Sequence, residues 1–412
     1  MNFQKNVLFA LFITLAIFSY SSCKKDEIIP SKEQETTNTP DSEQSECPSG
    51  NAGDLVKGQY LVFFKENSYS TARVSLAEAK TFFREKSEKL LHRYGIKQEA
   101  RHIFSAGFKG FAARIGADKI EQIKEDPEVA VVEADRIVAL EPFSISTLPD
   151  STGQMIPWGV KRIGYDKATE HTAWILDTGI DLNHEDLNVD QQRSVSFVCG
   201  EPSPQDANGH GSHVAGIIAA KNNNIGVVGV AAGNTVVAVK VMGADGKGTV
   251  SNLIAGLDYV YKNAKPGDVV NMSLSGEPSK TLDEMILKVA RDKGVFFTLA
   301  AGNETKNADN FSPQHVNYTG VFTVSAMDKN DTFAPFSNFG SCIDYGEPGV
   351  KILSTYKDGQ YAYLSGTSMA APHLAGLLLL NGTKFNVSGT VKNDPDGNPD
   401  PIAILSLANC PK

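Results

Sequence analysis

Between residues 172 and 325 short apolar runs alternate with helical stretches, and this alternation restricts the fold more tightly than any other feature of the chain. The runs Thr172–Leu176, Val236–Val241, Val269–Met272, Val295–Ala300 and Val321–Ser325 are rich in β-branched residues and short enough to be strands buried on both faces. Helical spacing fills the intervals at Gly211–Ala220, Ser251–Asn263 and Lys280–Lys293. Strands joined through helices run parallel, so the pattern predicts an α/β, doubly wound, mostly parallel sheet. Such sheets place ligand chemistry beyond the carboxyl ends of their strands. Asp177 and Asn303 follow the first and fourth runs and become candidates on that ground. The formal net charge of −9, with no offsetting Lys/Arg cluster, argues against a nucleic-acid partner.

A smaller unit precedes this region. Tyr60–Phe64 reads as a strand, and Leu76, Ala79, Phe83, Leu90, Leu91 and Tyr94 recur at helical spacing. Phe108–Ile115 is strand-like, Ala117–Glu125 suits a short helix, and Val129–Val132 a last strand. This order predicts a small α+β, ferredoxin-like domain with helices on one sheet face. Residues 24 to 53 are rich in Ser, Thr, Glu, Pro, Gln and Asn and read as a flexible tether.

Four motifs carry the chemistry. Asp177 sits in Trp-Ile-Leu-Asp-Thr-Gly-Ile-Asp and His210 in Asn-Gly-His-Gly-Ser-His-Val-Ala-Gly. Asn303 sits in Leu-Ala-Ala-Gly-Asn-Glu, and Ser368 in Gly-Thr-Ser-Met-Ala-Ala-Pro-His-Leu-Ala-Gly. Ser368 opens an apolar helical stretch to Leu380, where free backbone N–H groups can stabilise a developing oxyanion. Isolated, each residue would read as a turn cap, a packed histidine, a loop asparagine or a buried helix start. Together, in the order Asp, His, Asn, Ser, they resemble the subtilisin family of serine endopeptidases over roughly residues 154 to 380.

The resemblance implies Ser368 as nucleophile, His210 as base, Asp177 as the group orienting the imidazole and Asn303 as oxyanion donor. It implies a substrate cleft walled by Ser273, Leu274 and Ser275 on one side and Ala300, Ala301 and Gly302 on the other. Ser275 stands where the family usually has glycine. A structural calcium site is implied at the side chains of Gln154, Asp186 and Asn223 and the carbonyls of Lys221, Ile225 and Val227, an all-oxygen set. His213 and His373 read as packing residues. The preceding small domain, closing in Val-Ala-Val-Val-Glu-Ala-Asp, resembles the inhibitory pro-domain of subtilisins.

The N-terminus reads as a leader. Lys5 precedes an apolar run, Val7–Tyr20, that is short for a membrane span. Ser21-Ser22-Cys23 resembles a lipoprotein cleavage site, which implies a lipid on Cys23, although Tyr20 stands where an aliphatic residue is usual. Lys24-Lys25-Asp26-Glu27 resembles the surface-export tags of some Gram-negative lipoproteins. An exported chain permits disulfides among Cys47, Cys199, Cys342 and Cys410. A bridge that some related subtilisins make from the position of Cys342 cannot form, because Asp309 occupies the partner position; the remaining pairings stay open.

The expected organisation is a signal peptide (1–22), tether (23–53), inhibitory pro-domain (54–141), processing joint (142–153) and peptidase domain (154–412). The expected activity is serine endopeptidase, exported and lipid-anchored or secreted, monomeric, acting on protein or peptide substrates and inhibited by its own pro-domain. Rival readings are a narrow processing protease and a catalytically silent binding protein on the same fold. A lipase is disfavoured, since no Gly-x-Ser-x-Gly elbow surrounds Ser368.

Overall fold

The computed structural model describes residues 47–68, 75–140, 144–147 and 153–405. In the smaller N-terminal domain the elements run β1 (Leu55–Phe64), α1 (Leu76–Arg93), β2 (His102–Phe104), β3 (Gly110–Arg114), α2 (Ala117–Lys124) and β4 (Val129–Ala139). Ser75 starts α1 with a capping box. Its hydroxyl accepts from the Glu78 amide, and the Glu78 carboxylate accepts from the Ser75 amide. The antiparallel sheet is ordered β4–β1–β3–β2. Strand alternation sends Val62, Phe64, Phe111 and Ala113 to the helices, where they bury Phe83, Leu90, Leu91 and Ile123. Leu61, Phe63, Phe104 and Ala112 point the other way. The three-residue β2 was not expected, and β4 is longer than expected.

A short strand, β5 (Ser144–Thr147), follows inside the segment read as a joint, and α3 (Trp158–Ile163) begins the larger unit. The central strands are β6 (Thr172–Asp177), β7 (Thr235–Lys240), β9 (Val269–Met272), β10 (Phe296–Ala300), β11 (Val321–Met327) and β12 (Ile343–Pro348). All pair in parallel, in the order β12–β11–β10–β9–β6–β7, with the short pieces Asn188–Val189 and Val195–Ser196 completing the edge beyond β7. The winding therefore reverses between β6 and β9, which is where an open α/β sheet forms its crevice.

Helices cover both faces. Ala173 and Ile175 of β6 pack towards α4 (His210–Ala219) and α7 (Thr367–Asn381). Trp174 and Leu176 pack towards α5 (Val250–Asn263) and α6 (Lys280–Lys293). Between β7 and α5 lies the strand β8 (Lys247–Thr249). After β12 come β13 (Ile352–Tyr356) and β14 (Gln360–Ser365), an antiparallel pair on whose edge β5 adds as a third strand. After α7 follows an antiparallel hairpin, β15 (Asn386–Thr390) and β16 (Pro401–Ile404).

Residues 47–53, read from composition as the end of a flexible tether, are held in place. Cys47 forms a disulfide with Cys199, and Gly53 donates to the Ile137 carbonyl at 2.9 Å. The leader, Cys23 and Cys410 lie outside the described residues. No helix among the described residues is long and apolar enough to cross a membrane.

Candidate functional site

The site is assembled where the winding reverses. Asp177 is the last residue of β6 and is fully buried. His210 is the first residue of α4, and its Nδ1 lies 2.9 and 3.0 Å from the two Asp177 carboxylate oxygens. A carboxylate there fixes the imidazole tautomer with the proton on Nδ1, leaving Nε2 as the basic nitrogen. Glycine lets the helix come this close. A Cβ on Gly211 would sit 2.1 Å from the Gly179 carbonyl and 3.2 Å from the Asp177 Cβ.

Ser368 is the second residue of α7, whose first thirteen residues are all buried. Pro372 lies one turn on and has no N–H to give the Ser368 carbonyl. That carbonyl instead accepts the Ser273 hydroxyl at 3.0 Å. Ser273 is in turn held by the Asn271 amide at 2.9 Å, and Asn271 by the Thr298 hydroxyl at 3.0 Å. A chain of buried hydrogen bonds thus pins the start of α7 to the ends of β9 and β10. The Ser368 hydroxyl itself lies 3.3 Å from the Ser273 carbonyl.

Asn303 sits beside this helix start. Its Oδ1 accepts from the Thr367 amide at 2.8 Å and the Thr367 hydroxyl at 2.9 Å. Both acceptor bonds fix the side-chain amide, so its Nδ2 is the end available as a donor. A Cβ on Gly366 would lie 3.1 Å from that nitrogen, so glycine keeps the space in front of it open. Gly302, at φ +103°, makes the turn that a larger residue could not, since its Cβ would meet the Asn338 amide at 2.3 Å.

The two expected cleft walls, Ser273 to Ser275 and Ala300 to Gly302, are joined by a residue that sequence reasoning missed. The buried Gln314 donates through Nε2 to the Leu274 carbonyl at 2.9 Å and to the Ala300 carbonyl at 2.6 Å. The Ser275 hydroxyl lies 3.5 Å from the Gln314 Oε1. One amide therefore sets the spacing of both walls. Nothing in the local pattern Ser-Pro-Gln-His signals this, because both partners are distant in sequence.

The cleft holds the chain's own strand. Ala139 at the end of β4 pairs antiparallel with Ser275, while Ile137, Val138 and Ala139 pair with β8 on the other side. Leu140 donates to the Gly246 carbonyl at 2.8 Å. The smaller domain is also bound through three carboxylates. Glu133 accepts from Ser279 and Thr281 at the start of α6, and Asp135 from the amide and hydroxyl of Ser251 at the start of α5. Negative charge at a helix N-terminus satisfies free N–H groups and opposes the dipole. In the opposite direction, Asp258 of α5 accepts the amides of Ser105, Ala106 and Gly107 at 2.7–2.9 Å. Burial pushes the Asp258 pKa up, and the three amides pull it back. Bonds to a charged group contribute about 1.5–3 kcal/mol each, enough to offset a desolvation cost of several kcal/mol. The apolar face of the smaller domain's sheet, Leu61, Phe63, Phe104 and Ala112, shares one core with Leu253, Leu257, Met285 and Ile286.

The expected calcium ligands also converge. The Gln154 Nε2 lies 2.8 Å from the Lys221 carbonyl, 3.2 Å from those of Ile225 and Val227, and 3.4 Å from the Asn223 Oδ1. A half-turn of the Gln154 amide brings its own oxygen to the same place. Asp186 is fully buried, and its Oδ1 has no partner among the described residues. Its Oδ2 accepts from the Val227 amide at 2.9 Å. Burial raises the Asp186 pKa, as expected of a carboxylate short of positive charge. A ring of oxygens with one under-satisfied carboxylate fits a hard divalent cation.

His213 and His373 are packing residues. The His213 Nε2–H is shared by the Ile352 and Ala362 carbonyls at 3.1 and 3.0 Å, and burial lowers its pKa to about 3. The His373 Nδ1–H donates to the Met369 carbonyl at 2.8 Å, and burial lowers its pKa to about 4. Among the described residues Cys342 has no disulfide partner.

Comparison with known proteins shows the family. Residues 173–388 match the subtilase family, and residues 59–141 match peptidase inhibitor I9. The chain is 35% identical over 338 residues to alkaline serine exoprotease A of Vibrio alginolyticus, covering 79% of this chain and 60% of that protein. It is 35% identical over 337 residues to M-protease of Shouchella clausii, covering 80% of this chain and 82% of that protein. A crystal structure of a cold-adapted subtilisin-like serine proteinase aligns with a TM-score of 0.52 at 35% identity, over 61% of this chain and 98% of that one.

Proposed function

The chain belongs to the subtilase family of serine proteases and carries an I9 inhibitor-type pro-domain, and on that premise we propose that it is an exported endopeptidase with a Ser368–His210–Asp177 triad, made as a self-inhibited precursor. The observations that support the proposal are the buried Asp177–His210 pair at the end of β6, the pairing of β6 with β9, and the helix start of Ser368 and Asn303 pinned to the segment that follows β9, against which the chain's own β4 pairs. Ser368 attacks the peptide carbonyl carbon as His210 Nε2 takes its proton. The tetrahedral oxygen accepts hydrogen bonds from Asn303 Nδ2 and the Ser368 backbone amide. His210 then gives the proton to the leaving amine, and water repeats the sequence on the acyl-enzyme. Asp177 keeps the imidazole in one tautomer and stabilises its cation.

Substrates add as a strand between β8 and Ser273–Ser275, the place Ile137–Ala139 take in the precursor. Main-chain pairing of this kind makes few demands on sequence, which favours a broad protease over a dedicated processing enzyme. Digestion of a peptide library by the processed chain tests both points. Cleavage at many sequences is expected, cleavage at one motif would favour the processing reading, and no cleavage of any peptide would overturn the proposal. The limits given above for the signal peptide, pro-domain, joint and peptidase domain, a monomeric state and a lipid on Cys23 complete the proposal; the Ser-Ser-Cys motif supports the last.

Calcium, held by Gln154, Asp186, Asn223 and the carbonyls of Lys221, Ile225 and Val227, would tie three separated segments together and take no part in bond cleavage. A cation that binds only the folded state stabilises by about 2.7 kcal/mol at one hundred times its Kd. EDTA is expected to lower the melting temperature of the Ser368→Ala chain, which cannot digest itself, and calcium to restore it. Asp186→Ala should melt lower and no longer respond to calcium. A parent chain indifferent to calcium would remove the site.

A further inference from the structure

We propose that Cys47–Cys199 is a redox modification site that keeps the cleaved pro-segment attached to the peptidase domain until a dithiol reduces it. The inference rests on the reading above that the chain is cut in the joint 142–153. Cys47 stands upstream of the whole pro-domain, and Cys199 lies in the peptidase domain, 152 residues later. Every bond of the joint lies inside the loop that this bridge closes. Cutting the joint therefore opens the loop without separating the two pieces.

The attachment is anchored at both ends. On the peptidase side, the Phe197 amide donates to the Lys240 carbonyl at 2.8 Å, and the buried Lys240 ammonium pairs with Glu201 at 3.0 Å. These contacts fix the loop carrying Cys199 to the central sheet. On the pro-segment side, the Lys247 ammonium donates to the Gly50 carbonyl at 2.7 Å, and Gly53 donates to Ile137. Lys247 belongs to β8, the strand that lines the cleft. The bridge thus sits beside the strand it retains. A short tether of this kind holds a released inhibitor at an effective concentration on the order of millimolar, so it rebinds at any dilution.

The bridge is open to exchange. Cys47 is exposed and Cys199 partly so. A dithiol, either a small molecule or the paired thiols of an oxidoreductase, supplies the two electrons. Its first thiolate attacks the Cys47 sulfur and expels the Cys199 thiolate, which takes up a proton. Its second thiol attacks the mixed disulfide, frees the Cys47 thiol and closes the reductant's own disulfide. Cys342 does not compete. It is packed with Ala301, Ala308 and Ile343, and burial with the neighbouring Asp309 pushes its pKa up, keeping it protonated.

The test uses the full chain, produced under conditions that form disulfides and allowed to mature. Without reductant, the cut pieces should migrate as one species on a denaturing gel and separate after dithiothreitol. Hydrolysis of a small peptide substrate by the diluted protein should rise at least tenfold on adding dithiothreitol. Cys47→Ser should show that higher activity without it. Pieces that separate without reductant would overturn the proposal, as would dithiothreitol-insensitive activity equal to that of Cys47→Ser. The bridge can be judged apart from self-processing by building a site for a specific protease into the joint of the Ser368→Ala chain and cutting it externally. Pieces of that chain that stay together only in the absence of reductant support the bridge even where the parent never cuts itself.

Discussion

Replacing Ser368 with alanine is expected to leave the precursor uncut and to abolish peptide hydrolysis, with kcat falling by about 10⁶, the scale known for loss of this nucleophile in a subtilisin. The physical basis here is that the neighbouring hydroxyl, on Thr367, is committed to Asn303 and to the Gly302 amide and does not take over the attack. The change should not disturb the fold. Alanine is a better helix former than serine, and the Ser368 carbonyl, not its hydroxyl, carries the bond that pins the helix to Ser273. The Ser368 side chain gives up only a long contact to the Ser273 carbonyl at 3.3 Å. Intact-mass measurement of the purified variant separates the outcomes. A full-length chain is the expected result, and normal maturation at the same joint bond would rule out self-cleavage.

Asn303→Ala should lower kcat by about 10²–10³ with little change in KM, again the scale known for this donor in a subtilisin. The split arises because the donor acts on the oxyanion of the transition state far more than on the bound carbonyl. Asn303 has a second role that the experiment must separate. Its Oδ1 holds the amide and hydroxyl of Thr367 at 2.8 and 2.9 Å, so alanine also loosens the start of α7. Asn303→Asp keeps that acceptor and puts a carboxylate oxygen where the donor was. It should lose at least as much kcat as the alanine variant, because a carboxylate also repels the developing charge. An aspartate variant with unchanged kcat would remove Asn303 from the oxyanion role.

The limits of β9 and α6 in the structure are those the apolar pattern predicts, Val269–Met272 and Lys280–Lys293. Both elements are set by local periodicity between turn residues. Each chemical group was likewise legible because it sits in a contiguous motif, and the fold brings Asp177 to His210 and Asn303 to the residue before Ser368. What escaped sequence reading depends on distant partners. His102–Phe104 is too short to display a period, and it is a strand because Ala112 and Phe111 pair with it. The far half of β4 is extended because β8 and Ser275 grip it. Ser144–Thr147 is a strand because it borrows the edge of β14. The Cys47–Cys199 bridge and the Gln314 clamp join residues that no local pattern relates.

The proposed mechanism makes Ser368 a nucleophile activated by His210. Labelling the processed, reduced protein with a fluorophosphonate probe and mapping the modified peptide tests it most directly. One adduct is expected, on Ser368, formed in the parent and lost in His210→Ala. An unlabelled parent, or an adduct on another serine, would contradict it.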